Sequence, residues 1–129
     1  MRVSFYVLLA AASVSFAYGD SRFTGSVADS SGAGISGATI LIHWDPAGSE
    51  VGLASNVGIK QDLVVKTDRD GKFAADLPPG FYDVFVSSMA FTPACRKLRL
   101  KGAAPLDVKF RMAVDPGVVK ELGDAIVRR

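Results

Sequence analysis

The sequence has one cysteine, one histidine and one tryptophan in 129 residues, and each scarcity closes off some chemistry. With Cys95 alone there is no internal disulfide, so stability must come from a packed core. Free cysteines are among the most buried side chains, and Cys95 is expected to be an inert core residue; an intermolecular pair or a reactive thiol are the other readings. One histidine, His43, cannot supply the ligand set of a zinc peptidase. A Cys95–His43 nucleophile and base would need a third, orienting group, and no local signature provides one. An excess of one charge is also missing: the formal net charge is +2, which gives no reason to expect nucleic acid or an acidic membrane as partner. No catalytic residue, metal ligand or cofactor is assigned, and the chain is expected not to be an enzyme.

Long apolar runs are absent except at the start. Arg2 precedes a nearly unbroken apolar stretch from Val3 to Phe16, and Ala17-Tyr18-Gly19 places small residues where a signal peptidase cuts. The run is short for a membrane span and stops at Asp20, so residues 1–19 read as a secretory signal peptide. The expected product is exported, periplasmic or secreted, without stable membrane insertion. Losing Arg2 takes the net charge from +2 to +1. The mean hydropathy of +0.26 owes part of its sign to this leader.

Helical periodicity is scarce too, and alternation takes its place. Residues Thr67 to Val86 organise the chain: Asp68-Arg69-Asp70-Gly71 is a turn, Phe73, Ala75 and Leu77 share one strand face, Pro78-Pro79-Gly80 turns again, and Tyr82, Val84 and Val86 share the next. The same pattern predicts strands over Arg22–Ala28 (Phe23, Gly25 and Val27 on one face), Ile35–Trp44 (Ala38, Ile40, Ile42 and Trp44), Leu63–Thr67, Arg96–Lys101 (Leu98 and Leu100) and Leu106–Met112 (Leu106, Val108, Phe110 and Met112). Seven short strands separated by turn clusters predict an all-β fold, a seven-stranded antiparallel β-sandwich over residues 20–114. Asp115-Pro116, followed by Val118, Val119, Leu122 and Ile126 at helical spacing, predicts a short amphipathic helix in the 115–129 tail.

The order of motifs, FTGSV, DSSGAGISGATI, TDRDGKF and LPPGFYDVFV with Phe91 following, resembles the carboxypeptidase regulatory-like domain. That resemblance implies a transthyretin-like (Ig-like) sandwich of a bacterial exported protein. For function it implies little, because such modules accompany peptidases, outer-membrane receptors and adhesins, and some relatives have a carbohydrate-binding type of sandwich. A hydroxyisourate-hydrolysing relative relies on several histidines and a C-terminal tetrapeptide that this chain does not have.

Several stretches invite a binding role. Asp45 to Asp62 has neither strand nor helix periodicity and is a binding surface, a plain insertion or an extra hairpin. Asp68 to Gly71 resembles the start of a calcium loop, but Lys72 and Pro79 fall where ligands belong, and turn chemistry explains both aspartates. Arg99 and Lys101 on one strand and Lys109 and Arg111 on the next are expected outward, as a basic stripe or as edge protection. Trp44, at a strand end beside the long loop, and Phe81 and Phe85, opposite the core residues of their strand, are candidate aromatics for sugar stacking. The expected function is a non-catalytic binding or structural module with a protein or cell-surface polysaccharide partner. Alternatives are a carbohydrate-binding module and, more remotely, a hydrolase. Bare Phe81 and Phe85 would form an apolar patch, to be covered by the tail helix or by a partner.

Overall fold

The computed structural model describes residues 20–47, 56–102 and 104–127, with backbone only at 119, 122 and 124–127. The leader at 1–19 and the middle of the long loop at 48–55 lie outside the described residues. Seven strands and one helix follow in order: β1 (Ser21–Asp29), β2 (Thr39–Trp44), β3 (Leu63–Lys66), β4 (Lys72–Leu77), β5 (Gly80–Ser87), β6 (Ala94–Leu100), β7 (Leu106–Met112) and α1 (Pro116–Val127). They form a three-stranded sheet in the order β4-β1-β7 and a four-stranded sheet in the order β3-β2-β5-β6.

Alternation places the core as expected. Phe23 and Val27 of β1, Ile40 and Ile42 of β2, Phe73 and Leu77 of β4, Tyr82, Val84 and Val86 of β5, Leu98 and Leu100 of β6 and Val108, Phe110 and Met112 of β7 are all buried in one cluster. The two inner faces meet along it, as sandwich layers do. On the three-stranded side the cluster is aromatic: Phe73 packs edge-on against Phe23 at 5.3 Å and lies 6.4 Å from Phe110, distances at which ring pairs add to simple burial. Tyr82 is fully buried and donates its hydroxyl to the Pro78 carbonyl at 2.6 Å. At the β6 margin, Arg96 sets its guanidinium over the Phe110 ring at 5.1 Å.

Two details depart from the expected arrangement. The pairing of β1 with β7 is parallel, Phe23 opposite Leu106 through Asp29 opposite Met112, whereas every other named strand pair is antiparallel. It arises because the chain crosses from β6 in one sheet to β7 in the other and finishes beside its own first strand. Residues 35–38, expected to open the second strand, form a separate turn. Gly37 takes a positive φ of 73° there, which L side chains avoid. Thr67 ties this turn down: its buried hydroxyl donates to the Ile35 carbonyl at 2.6 Å and accepts from the Ala38 amide at 2.8 Å.

Among the described residues no helix is long and apolar enough to cross a membrane. The predicted helix is present as α1. Its root is held at the β5–β6 connection, where Phe91 bridges Val114 and the Asp115 amide donates to the Ala90 carbonyl at 2.8 Å. The side chains of Val119, Leu122 and Ile126 lie outside what is described.

Candidate binding surfaces

Trp44 marks one end of the sandwich. Its indole N–H donates to the Asn56 side-chain oxygen at 2.7 Å, and the same oxygen accepts the Phe81 amide at 3.0 Å. The Asn56 amide group donates in turn to the Asp45 carbonyl at 3.0 Å. Gly58, at a φ of 68°, lies so close against the indole ring that a Cβ there would collide with it. Part of the segment that lacks periodicity in the sequence is therefore bound to β2 and β5 through one asparagine and one glycine. The half-buried Trp44 ring is covered on a face that a sugar would need.

Phe81 also departs from expectation. It faces outward but is only 8% exposed, set between Arg99, its register partner on β6, and Asp45, whose amide donates to the Phe81 carbonyl at 2.8 Å. Phe85 is 42% exposed. The expected flat pair of bare aromatics is thus reduced to Phe85.

What surrounds Phe85 is a row. Leu41 pairs with Val64 on one side and Phe85 on the other, and Phe85 pairs with Cys95. Because the inner positions of these strands are the buried ones, all four of these side chains face outward and cross the four-stranded sheet. Val64 is 55% exposed. Cys95 is exposed as well, against the expectation of a buried thiol: it falls on the outward parity of β6, the strand at the sheet margin.

The next outward row is polar and internally bonded. His43 Nδ1 lies 2.7 Å from Asp62, and Lys97 Nζ lies 2.5 Å from Asp45 and 3.1 Å from Asp83. The Lys97 hydrogen bond holds the Asp45 carboxyl below its usual range, and Asp45 and then Asp83 raise Lys97. A nucleophile and base made of Cys95 and His43 does not fit this layout. The two residues sit on β6 and β2 with β5 between, two strand spacings or about 10 Å apart, and His43 already has Asp62.

The basic stripe is split by topology. Arg99 and Lys101 extend from β6 on the four-stranded side, whereas Lys109 and Arg111 belong to β7 and face out from the other sheet. Both pairs are exposed, but on opposite surfaces of the sandwich. In the Asp68–Gly71 turn, the Asp68 carboxylate accepts the Asp70 and Lys72 amides at 2.8 and 2.9 Å, which lowers its pKa. This is turn chemistry, with one carboxylate oxygen serving both amides.

One surface feature has no counterpart in the sequence reading. An open depression of about 880 Å³ lies on the outer side of the three-stranded sheet, lined among others by Thr24, Ser26, Lys72, Asp107 and Lys109. Alternation alone could have assigned each of these residues to an outward position. Their assembly needs the β4-β1-β7 order, which no local signal encodes.

Residues 22–113 match the sequence profile of the family described as the carboxypeptidase regulatory-like domain. The chain belongs to this family. No curated protein matches it. Among solved structures, catechol 1,2-dioxygenase from Pseudomonas arvilla C-1 superposes with a TM-score of 0.56 at 12% identity, covering 78% of this chain and 55% of that one. A 3-chlorocatechol 1,2-dioxygenase from Rhodococcus opacus 1CP gives 0.55 at 12% identity over 77% of this chain and 62% of its own. The Bacillus anthracis TIE protein gives 0.55 at 13% identity over 74% and 17%. The chain spans little more than half of each dioxygenase, and at these identities the likeness is one of fold. The sandwich fold of this chain thus recurs within longer proteins.

Proposed function

We infer that this carboxypeptidase regulatory-like domain is a non-catalytic, exported module that works by binding, and that its contact with a protein partner is the outer face of the four-stranded sheet. The observation that carries this reading is the outward row Val64–Leu41–Phe85–Cys95, exposed at Val64, Phe85 and Cys95 and half-buried at Leu41. Contiguous apolar surface costs solubility when bare and commonly marks an interface, and here it lies beside a polar row whose side chains are bonded to one another. Export rests on the Arg2, apolar run and Ala17-Tyr18-Gly19 pattern; intact mass of the protein recovered from the periplasm or medium should begin at Asp20, and a species still beginning at Met1 would refute it. The carbohydrate reading has less support, since Trp44 is covered and Phe81 buried.

Cys95 offers a direct test, because it lies inside the row. A photoactivatable maleimide attached there should trap a discrete adduct in cells that export the protein. The adduct should be lost in a Phe85→Lys, Leu41→Lys variant that folds normally. Labelling that yields no adduct, or one indifferent to both substitutions, would overturn the assignment. Turnover of an ester or peptide substrate that disappears in Cys95→Ala and His43→Ala would overturn the non-catalytic reading.

A further inference from the structure

The depression on the three-stranded sheet points to a second binding site, independent of the apolar row. On β1, Ser26 is flanked by Lys72 of β4 on one side and Lys109 of β7 on the other. The two lysines are therefore two strand spacings apart, about 10 Å between their backbones, with only a serine hydroxyl between them. Lys66 lines the same depression from the other sheet. Among the described residues none of these three lysines has a carboxylate within ion-pair distance, in contrast to Lys97, which has two; Lys72 lies near enough to Asp68 to help hold that carboxyl below its usual range. An anion seated at Ser26 would lie between the two lysines that flank it and meet both.

The lining is not uniformly basic, and this narrows the ligand. In the adjacent row Thr24 donates its hydroxyl to Asp107 Oδ1 at 2.7 Å. Asp68, also on the wall, receives its two backbone bonds on Oδ1. A bare oxyanion would meet the lysines and hydroxyls but would also face two carboxylates. A ligand carrying hydroxyls beside its charge could donate to Asp107 and Asp68 while its anionic group lies between Lys72 and Lys109. The volume of about 880 Å³ falls within the range of small-ligand clefts, which is on the order of 300–1,000 Å³. We propose that this depression binds a small anionic polyol unit, a sugar acid or a sugar phosphate, with Lys72 and Lys109 as the charge clamp, Ser26 at its centre and Asp107 as acceptor for a ligand hydroxyl.

The test is amide chemical-shift mapping of the full chain, titrated separately with trigalacturonate, with a neutral galactose trimer, with glucose 6-phosphate and with inorganic phosphate. Trigalacturonate or glucose 6-phosphate should shift Thr24, Ser26, Lys72, Asp107 and Lys109 together, and whichever binds more tightly distinguishes carboxylate from phosphate as the charged group. The apparent Kd should rise with added salt. Lys72→Gln with Lys109→Gln should weaken binding at least tenfold at unchanged Tm, whereas Lys120→Gln on α1 should not. Asp107→Asn should weaken the anionic sugars while leaving any inorganic phosphate binding equal or tighter. Equal binding of the neutral trimer, shifts spread over all lysines, or inorganic phosphate matching the anionic sugars would each overturn the proposal.

Discussion

On the outer face of the four-stranded sheet, Lys97 sits against Asp45 and Asp83 and the His43 ring against Asp62, and the uncharged row Val64–Leu41–Phe85–Cys95 lies beside them. The outer face of the three-stranded sheet also pairs one couple of charges, Arg22 with Asp76 at 3.4 Å, but its middle is built differently. There Lys72 and Lys109 bracket Ser26 with no carboxylate in ion-pair range among the described residues, and hardly an apolar side chain reaches solvent. Both faces are made by strands that bury alternate residues in one shared core. They differ because the inward positions must satisfy packing, while the outward positions are free of that constraint. One face accordingly presents an apolar row and the other a pair of lysines about a serine.

The most severe way to break this comparison is to remove the core that both faces share. Phe73 touches Phe23 and neighbours Phe110 beneath the three-stranded sheet, and Phe73→Ala should cost about 3–5 kcal/mol through lost transfer energy and the cavity left behind. A urea titration giving less than about 1 kcal/mol would contradict the register. A smaller effect, confined to one end, is expected at Asn56. Asn56→Leu leaves the Trp44 indole N–H and the Phe81 amide without their acceptor, at roughly 1–3 kcal/mol for a buried unsatisfied donor. Trp44 fluorescence should shift red in the folded state, while sugar-acid titration of the opposite sheet stays unchanged. An unshifted spectrum would mean that Asn56 does not hold the loop on the indole.

Phe85→Lys should change stability by no more than about 0.5 kcal/mol, as surface substitutions usually do, yet lower the binding of a hydrophobic dye to the native protein. Dye binding that persists would place the accessible apolar surface elsewhere. The smallest effect is on pH dependence. Asp29, bonded first by the Ser31 hydroxyl, Asp45, bonded first by Lys97, and Asp68, bonded first by the Lys72 amide, all titrate lower when folded. A carboxyl with a depressed folded pKa contributes stability above its unfolded value, near pH 4, and that contribution disappears as the pH falls through the folded value. Tm should therefore fall on acidification from pH 5 to pH 2, and Asp68→Asn should make the fall shallower. An identical acid limb in that variant would exclude the turn carboxylate as a contributor.

What could be read in advance follows the range of the interactions involved. The inward residues of β4, β5, β6 and β7 were legible because burial of alternate side chains is a period-two signal carried by neighbours in sequence. Cys95 was assigned to the core on residue type, but parity along β6 puts it opposite Phe85, outside. Phe81 obeys the parity rule and is buried nonetheless, through residues on neighbouring strands. The charge clamp was legible only in halves: Lys109 could be placed outward on its strand, but its relation to Lys72 depends on β1 coming between β4 and β7. Likewise the Asn56 contacts join a segment without periodicity to strand ends that lie well before and after it in the chain.

The parallel β1–β7 pairing sets a constraint on the order of folding. Strand β1 is the middle strand of its sheet, and its second partner is made almost last: the Thr24–Asp107 contact closes a separation of 83 residues. Contacts of such long range slow folding, since the loop they close must be ordered first. Until residues 106–112 are available, β1 presents one bare edge, a template for pairing with another chain. The sandwich therefore cannot complete itself until its last strand has been synthesised, and the chain stays longest with β1 paired on one side alone.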